Sequence, residues 1–444
     1  MSMEQSALRF HISTLGCKVN QHESDVLAAA LGAHGWQRSG DGDRADVCIV
    51  NTCTVTQKAS MQSRQLIRKL QRHHPGARII VTGCYAQVAP EEIEAIEGVH
   101  AIVGHSRRDE LPDIIVRSVG HTQDAPIRAV NDLAPGLSFF NPATAAPGTR
   151  TRPFLKIQDG CNSFCTYCIV PYARGRSRSM RPGQVIRHLR HLGQQGYHEV
   201  VLTGIHLGAY GLDLQPATDL ATLLERVEAE KPLARIRLSS IEPHELSDEI
   251  IARVAASAIF CPHFHLPLQS GDDAILKKMH RPYSRDFFRQ RVAAIAARLP
   301  RAAIGADVLI GFPGEDDRSF EKTAGLLEEL PISYLHVFPY SRRPGTPAFH
   351  YPDQVPPQVA KERTAAIRAI GNRKKQAFLK QAIGQKTEVL VENRRDRTTG
   401  RLKGLSGNYL SILLDGDDSR MNTIAQAIVH DRDDKGRLRG QIIP

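Results

Sequence analysis

Residues 159–179 read DGCNSFCTYCIVPYARGRSRS; this run carries the chemistry of the chain and, with the strands around it, points to its fold. It holds Cys161, Cys165 and Cys168 in a CxxxCxxC spacing, followed by Arg174, Arg176 and Arg178, with Arg181 just beyond. Three thiolates so close on one loop can hold three irons of a cubic iron–sulfur cluster, for which four cysteines make a full set. With three, the fourth iron keeps an open position, and an open metal position is where a substrate or cofactor binds. The competing reading is a zinc site completed by a distant ligand. Zinc sites usually space their cysteines in CxxC pairs, so the spacing favours iron and sulfur.

The run resembles the signature of the radical S-adenosylmethionine (SAM) enzymes, including the aromatic Tyr167 just before the last cysteine. In that family the amino and carboxylate groups of SAM chelate the open iron. The composition suits such an enzyme. A chain of 444 residues has room for about two to four domains. Its apolar share of 41% supports ordinary cores. Six of the eight cysteines fall into two sets, which is metal-site usage in a reducing compartment and not a secreted disulfide scaffold. The N-terminus, MSMEQSALRFHIS, has no apolar core of a signal peptide, and no apolar run reaches the length of a membrane span. A cytoplasmic protein with no membrane partner is expected. The formal charge of +11 is compatible equally with mere solubility and with a polyanionic partner such as RNA.

Upstream, strands are expected at 10–14, 46–50 (DVCIV), 77–82 (ARIIVT) and 99–103. Helices are expected at 24–31, 61–72 and 90–96, the last with Pro90 at its start. Alternating strands and helices predict a small doubly wound parallel sheet. Cys17, Cys53 and Cys84 each follow one of its strands. Parallel strands put their carboxyl ends on one edge, where ligands bind, so the three should converge there and form a second cluster site. Three unrelated buried thiols are the bland alternative; the polar and glycine-rich company (LGCKVNQ, NTCTVT, TGCYAQ) argues against it. Cys48, inside DVCIV, and Cys261, in FCPHFHL, read as packing residues. No GxGxxG is present to support nucleotide binding here.

TLGCKVNQHES, NTCTVT and VTGCYAQ together resemble the N-terminal domain of the methylthiotransferases. The CKVNQ form is similar to the branch that acts on N6-threonylcarbamoyladenosine in tRNA. In that family the three cysteines hold an auxiliary [4Fe–4S] cluster with an open iron. PGLSFFNPATAAPG, residues 135–148, reads as a linker.

From about 150 to 382, six strand–helix units are expected. Their strands lie at 153–158, 199–203, 235–239, 263–268, 302–310 and 334–340, with one long helical region over 272–298. Six parallel strands suggest an open barrel, two units short of (β/α)₈, with its active site at the carboxyl ends of the strands. There the sequence places Thr203 and Gly204, Ser239, Ser240 and Glu242, Gln269, Ser270 and Gly271, Gly311, Pro313 and Gly314, and Tyr340, Ser341 and Gly345. Glycines let a ligand approach the backbone, and Glu242 and Gln269 can hydrogen-bond a ribose or an amine. Singly, each is an ordinary loop or capping residue. As an ordered series they resemble the SAM-binding edge of the methylthiotransferase barrel, which implies Tyr167, Thr203, Gly204, Ser240, Glu242, Gln269 and Gly311 as cofactor contacts. His206 departs from that pattern, standing where relatives often have asparagine.

After Gly384 the composition changes to short strands separated by turns, which predicts a small antiparallel barrel. It resembles the TRAM domain, an OB-like RNA-binding module. Tyr409 is its single aromatic, so phosphate contacts from Arg394, Arg395, Arg397, Arg401 and Lys403 are expected in place of stacking. Arg174, Arg176 and Arg178 are further candidates for RNA contact, as planar forks for phosphate or carboxylate.

The expected organisation is thus 1–134 for the auxiliary cluster, a linker at 135–150, a radical core at 151–382 and an RNA-binding barrel at 383–444. The resemblance implies two [4Fe–4S] clusters and SAM. It also implies an electron donor such as flavodoxin or ferredoxin, a sulfur donor, and methylthiolation of C2 of N6-threonylcarbamoyladenosine at tRNA position 37. An unactivated aromatic C–H is beyond side-chain acid–base chemistry, which is why a cofactor radical is needed. Isopentenyladenosine in tRNA or an aspartate of a ribosomal protein are the neighbouring substrates. A non-catalytic, zinc-stabilised RNA-binding protein is the reading from another class.

Overall fold

The computed structural model describes residues 7–40, 42–119, 125–134, 136–139 and 150–443, so most of the expected linker at 135–150 lies outside the described residues. The chain forms two compact units. The first comprises 1–148, 158–180 and 341–349; the second comprises 149–157, 181–340 and 350–444.

The first unit is built on β1 (Arg9–Thr14), β2 (Gln37–Arg38), β3 (Val47–Thr52), β4 (Arg78–Gly83), β5 (Val99–Val103) and β6 (Ile127–Ala129). They pair in parallel in the order β2-β1-β3-β4-β5-β6. The helices are α1 (Lys18–Ala33), α2 (Gln57–His73), α3 (Cys84–Val88), α4 (Pro90–Glu94) and α5 (Leu111–Val119). Alternation along the strands explains why both faces need cover. Val50, Ile79 and Val81 pack with Ile67 and Leu70 of α2, whereas Ile12, Ile49 and Ile80 pack with Leu27 and Leu31 of α1 and Ile115 of α5. Every residue of β3 is buried, as expected of a central parallel strand. Cys48 faces the α2 side of this core, a packing residue as its sequence context indicated.

In chain order β7 (Phe154–Lys156) opens the second unit, and β8 (Gln158–Asp159) and β9 (Arg178–Ser179) belong to the first. The last two pair antiparallel, Gln158 with Ser179 and Asp159 with Arg178, and close the base of the CxxxCxxC loop. Between them lies α6 (Val170–Arg174).

The second unit continues with β10 (Glu199–Thr203), β11 (Arg235–Leu238), β12 (His263–Gln269), β13 (Ala303–Ile310) and β14 (Tyr334–Pro339). Together with β7 these are the six expected parallel strands, in two triplets, β7-β10-β11 and β12-β13-β14. A single bridge, Ile236 to Phe260, links β11 to the segment entering β12. The helical region expected over 272–298 is two helices, Asp273–Lys278 and Arg285–Arg298. Pro282 interrupts it, and Ser284 starts the second helix by accepting the Phe287 N–H. Asp307 fastens the second triplet laterally: its Oδ1 lies 2.8 Å from His265 Nε2 and 3.2 Å from His336 Nδ1.

The chain ends in a closed barrel of β15 (Lys386–Val391), β16 (Leu402–Ser406), β17 (Ser411–Asp415), β18 (Ile424–Arg432) and β19 (Leu438–Ile442), in the order β15-β16-β17-β19-β18. The expectation of an antiparallel barrel needs one correction, because β17 and β19 run parallel. Closure leaves no free strand edge. Tyr409 stacks on His263 at 4.6 Å between ring centroids, with Arg237 over its face, so this aromatic is used for packing within the unit.

Candidate active site

Cys53 and Cys84 stand one residue beyond neighbouring strands whose last residues, Thr52 and Gly83, are register partners. Cys17 follows β1 on the other side of β3 and caps α1 at its N-terminus. Cys84 opens α3. Burial raises the thiol pKa of Cys53, and raises that of Cys84 to about 12, while Arg174 pulls both down and Cys17 acts on both, so the three sulfurs share one electrostatic neighbourhood. Thiols held this way become ligands when a metal displaces the proton.

Three of the six candidate ligands directly follow a glycine with positive φ: Gly16 (+98°), Gly83 (+96°) and Gly160 (+72°), before Cys17, Cys84 and Cys161. At Gly160 a Cβ would run into the Arg176 carbonyl oxygen across the β8–β9 ribbon. The loop beyond is held by its own backbone, with Cys161 N–H bonded to Gly175 O and Cys168 N–H to Cys165 O. Ser163 N–H points at Cys161 Sγ at 3.4 Å. All eight cysteines are unbridged. With Cys48 and Cys261 buried as core residues, six thiols remain as candidate donors, three after strand ends of the parallel sheet and three on the CxxxCxxC loop. Two groups of three suit cubic iron–sulfur clusters with one iron open, and fall short of closed four-thiolate zinc.

The arginines after the loop are not where surface contacts would put them. Arg174 is 1% exposed, and its fork donates to Glu23 Oε1 (3.0 Å) and Oε2 (3.1 Å), Asp159 Oδ1 (2.8 Å) and Asn20 Oδ1 (2.5 Å). Arg178 donates to Asp159 Oδ2 at 3.0 Å, and Arg108 also pairs with Glu23. Asn20 in turn donates to Leu15 O and Thr52 O, tying the loops after β1 and β3 to this network. Expecting Arg174 and Arg178 to meet RNA is therefore corrected: their guanidinium groups are consumed by buried carboxylates and carbonyls. Arg176 alone of the three is exposed.

Arg176 lines a cavity of about 1220 Å³ in this unit. Gln57, Lys58 and Arg64 border it from α2, Phe164 and Tyr172 from the cysteine loop, and Arg343 from the 341–349 segment. Met61, Phe164 and Tyr172 each leave about two-fifths of their surface exposed, the two rings meeting edge to face at 5.7 Å. Tyr167 is half-buried on the same loop.

In the second unit, the expected cofactor contacts occupy one edge, at the carboxyl ends of four strands. Thr203 ends β10, and Gly204 follows it. Ser240, exposed, and Glu242 follow β11. Gln269 ends β12 with φ +65°, and Gly311 follows β13 with φ +81°. Burial raises the Glu242 pKa, and the paired Arg281 opposes the rise. His206 lies 2.9 Å from Glu245 Oε2 on this edge.

Residues 9–104 match the model of a family described as "Uncharacterized protein family UPF0004", and residues 155–327 match that of the radical SAM superfamily. The threonylcarbamoyladenosine tRNA methylthiotransferase MtaB of Bacillus subtilis (strain 168) is 38% identical, over 95% of this chain and 93% of its own length. The chain belongs to the radical SAM methylthiotransferase family. MtaB of Aquifex aeolicus (strain VF5) is 36% identical to this methylthiotransferase over 92% of the chain and 97% of its own length. The tRNA-2-methylthio-N(6)-dimethylallyladenosine synthase of Pelotomaculum thermopropionicum is 35% identical, with 95% of each covered. Among solved structures, the radical SAM methyltransferase TsrM of Kitasatospora setae superposes with a TM-score of 0.56 at 17% identity, over 77% of each chain, a likeness of fold.

On the methylthiotransferase's terminal barrel, the five expected RNA contacts differ in availability. Arg394 and Arg397 are exposed. Arg395 donates to Asp418, Gly400 O and Gly416 O, Arg401 pairs with Asp415 and Lys403 with Glu392. Sequence reading missed Asn20, Glu23 and Asp159 as the frame around the thiols. It placed Tyr340, Ser341 and Gly345 after the last strand of the central unit and passed over Arg343 between them. No helix among the described residues is long and apolar enough to cross a membrane.

Proposed function

We infer that this protein is a tRNA methylthiotransferase that converts N6-threonylcarbamoyladenosine at position 37 to its 2-methylthio derivative. The observation that carries the reading is 38% identity, almost end to end, to a protein of that named activity. Its cofactors are SAM and [4Fe–4S] clusters; when bound, SAM would supply the radical that removes the C2 hydrogen and the methyl group that the incoming sulfur carries. We assign Cys161, Cys165 and Cys168 to the SAM-binding cluster and Cys17, Cys53 and Cys84 to the auxiliary one. Their grouping in threes supports this assignment. Thr203, Gly204, Ser240, Glu242, Gln269 and Gly311, with Tyr167, are assigned to SAM. Glu242, paired with Arg281, would accept from a ribose hydroxyl or an ammonium group. The division into modules at 1–134, 151–382 and 383–444, a cytoplasmic location, RNA contact through Arg394 and Arg397, and an electron donor of the flavodoxin or ferredoxin type belong to the same proposal.

The test is nucleoside analysis of tRNA from cells lacking the protein. The 2-methylthio form of threonylcarbamoyladenosine should vanish and its precursor accumulate. Loss of methylthio-isopentenyladenosine, with threonylcarbamoyladenosine unchanged, would reassign the substrate.

A further inference from the structure

Arg343 is 7% exposed, and its only acceptors among the described residues are neutral hydroxyls. Nη2 donates to Thr54 Oγ1 at 2.6 Å and Nη1 to Ser60 Oγ at 3.2 Å. Its Nε is buried without an acceptor, and among the described residues no carboxylate pairs with it. The carboxylate nearest to hand in the cavity wall, Glu92, is already taken by Arg64 (2.8 Å) and the Tyr85 hydroxyl (2.5 Å). Burying a cation without a paired carboxylate is costly, so an anion that completed the pair would recover part of that cost.

The place it faces is suited to such an arrival. The cavity wall carries Lys58, Arg64, Arg176 and Arg343 against two carboxylates, Glu92 and Asp132. Beside the cations stand Met61, Phe164 and Tyr172, partly exposed and apolar. Aromatic faces that stack a base, next to a buried guanidinium, describe a receptor for a nucleobase bearing an anionic arm. RNA phosphates stay at the solvated surface, where Lys58 and Arg176 are exposed. A buried fork is reached only by a group that enters the cavity, and a planar guanidinium matches a carboxylate in two parallel bonds.

We propose that Arg343 is the receptor for the carboxylate of the threonylcarbamoyl arm of the target nucleoside, and so a determinant of selectivity for an acidic modification. The assignment rests on the substrate reading above and refines it.

The test uses the reconstituted full-length enzyme with two anticodon stem-loop RNAs. One carries N6-threonylcarbamoyladenosine, and the other carries the same group with its carboxylate converted to a carboxamide. Wild-type enzyme should favour the carboxylate RNA in kcat/KM by on the order of 30-fold or more, and in Arg343→Gln the ratio should collapse toward unity. Arg343→Lys, which keeps the charge without the fork, should restore part of the ratio. Equal kcat/KM of wild type for the two RNAs would overturn the proposal without recourse to any variant. So would a ratio that survives in an Arg343→Gln protein of normal iron content. If wild type modifies neither RNA yet still cleaves SAM, the substrate reading itself fails, a separate result.

Discussion

At the scale of single residues, the proposed division of the cysteines between two clusters is one that substitution can test. Cys84→Ser should lower iron from about eight toward about four per chain. SAM cleavage, measured as 5′-deoxyadenosine, should persist while methylthiolated nucleoside disappears. Loss of both activities would mean that the two thiol groups do not serve two clusters. Arg174 tests the frame around them. Arg174→Leu takes from the buried Glu23 and Asp159 the guanidinium they share, leaving Arg108 and Arg178 among their partners. The cost is about 3 kcal/mol, seen as a fall in Tm of roughly 6–12 °C. The buried role of Arg174 was not legible in the sequence. Arginines in a row read as a solvated face, and the carboxylate that draws this one inward lies 151 residues earlier. The cysteines stand out in the sequence because polar and glycine-rich loops are an unusual setting for a thiol.

Elements were more legible than charges. The buried strands stood out by their β-branched runs, and all six strands of the central unit fall where period and composition put them. The missed elements are the ones packing does not write into sequence. β2 and β6 are short edge strands of two and three residues. The start of α1 at Lys18, where residue 24 was expected, is hidden because Asn20 and Glu23 are polar yet buried in the network around Arg174. The contact of Asp307 with β12 and β14 makes a prediction at this scale. Burial opposes its charge, but His265 and His336 prevail and hold its pKa below the ordinary value. A depressed carboxyl pKa stabilises the fold above the unfolded value, near pH 4, and that contribution is lost as pH falls through the folded pKa. Asp307→Asn should therefore lower Tm at about pH 5, with the gap to wild type narrowing below about pH 4.

For the whole molecule, a formal charge of +11 predicts salt-sensitive tRNA binding. Many of the cations are spent internally, so the excess overstates what RNA meets. On the terminal barrel only Arg394 and Arg397 of the five basic candidates are exposed without a carboxylate pairing described above. Replacing both with Ala should weaken binding of any tRNA and flatten the slope of log K against log salt by about 1 to 2, as lost phosphate contacts do. The same change at Lys403, paired with Glu392, should do less.

The ion pairs around Arg174 also bear on how the enzyme matures. Glu23 anchors the helix that Cys17 precedes, and Asp159 anchors the ribbon beneath Cys161, so one ion-pair network braces the surroundings of both cysteines. On the proposed function, iron and sulfide would then enter a site already framed by ion pairs, unlike the small zinc domains that fold only around their ion. Chelator-stripped protein should keep its far-ultraviolet dichroism and accept iron and sulfide again without a refolding step.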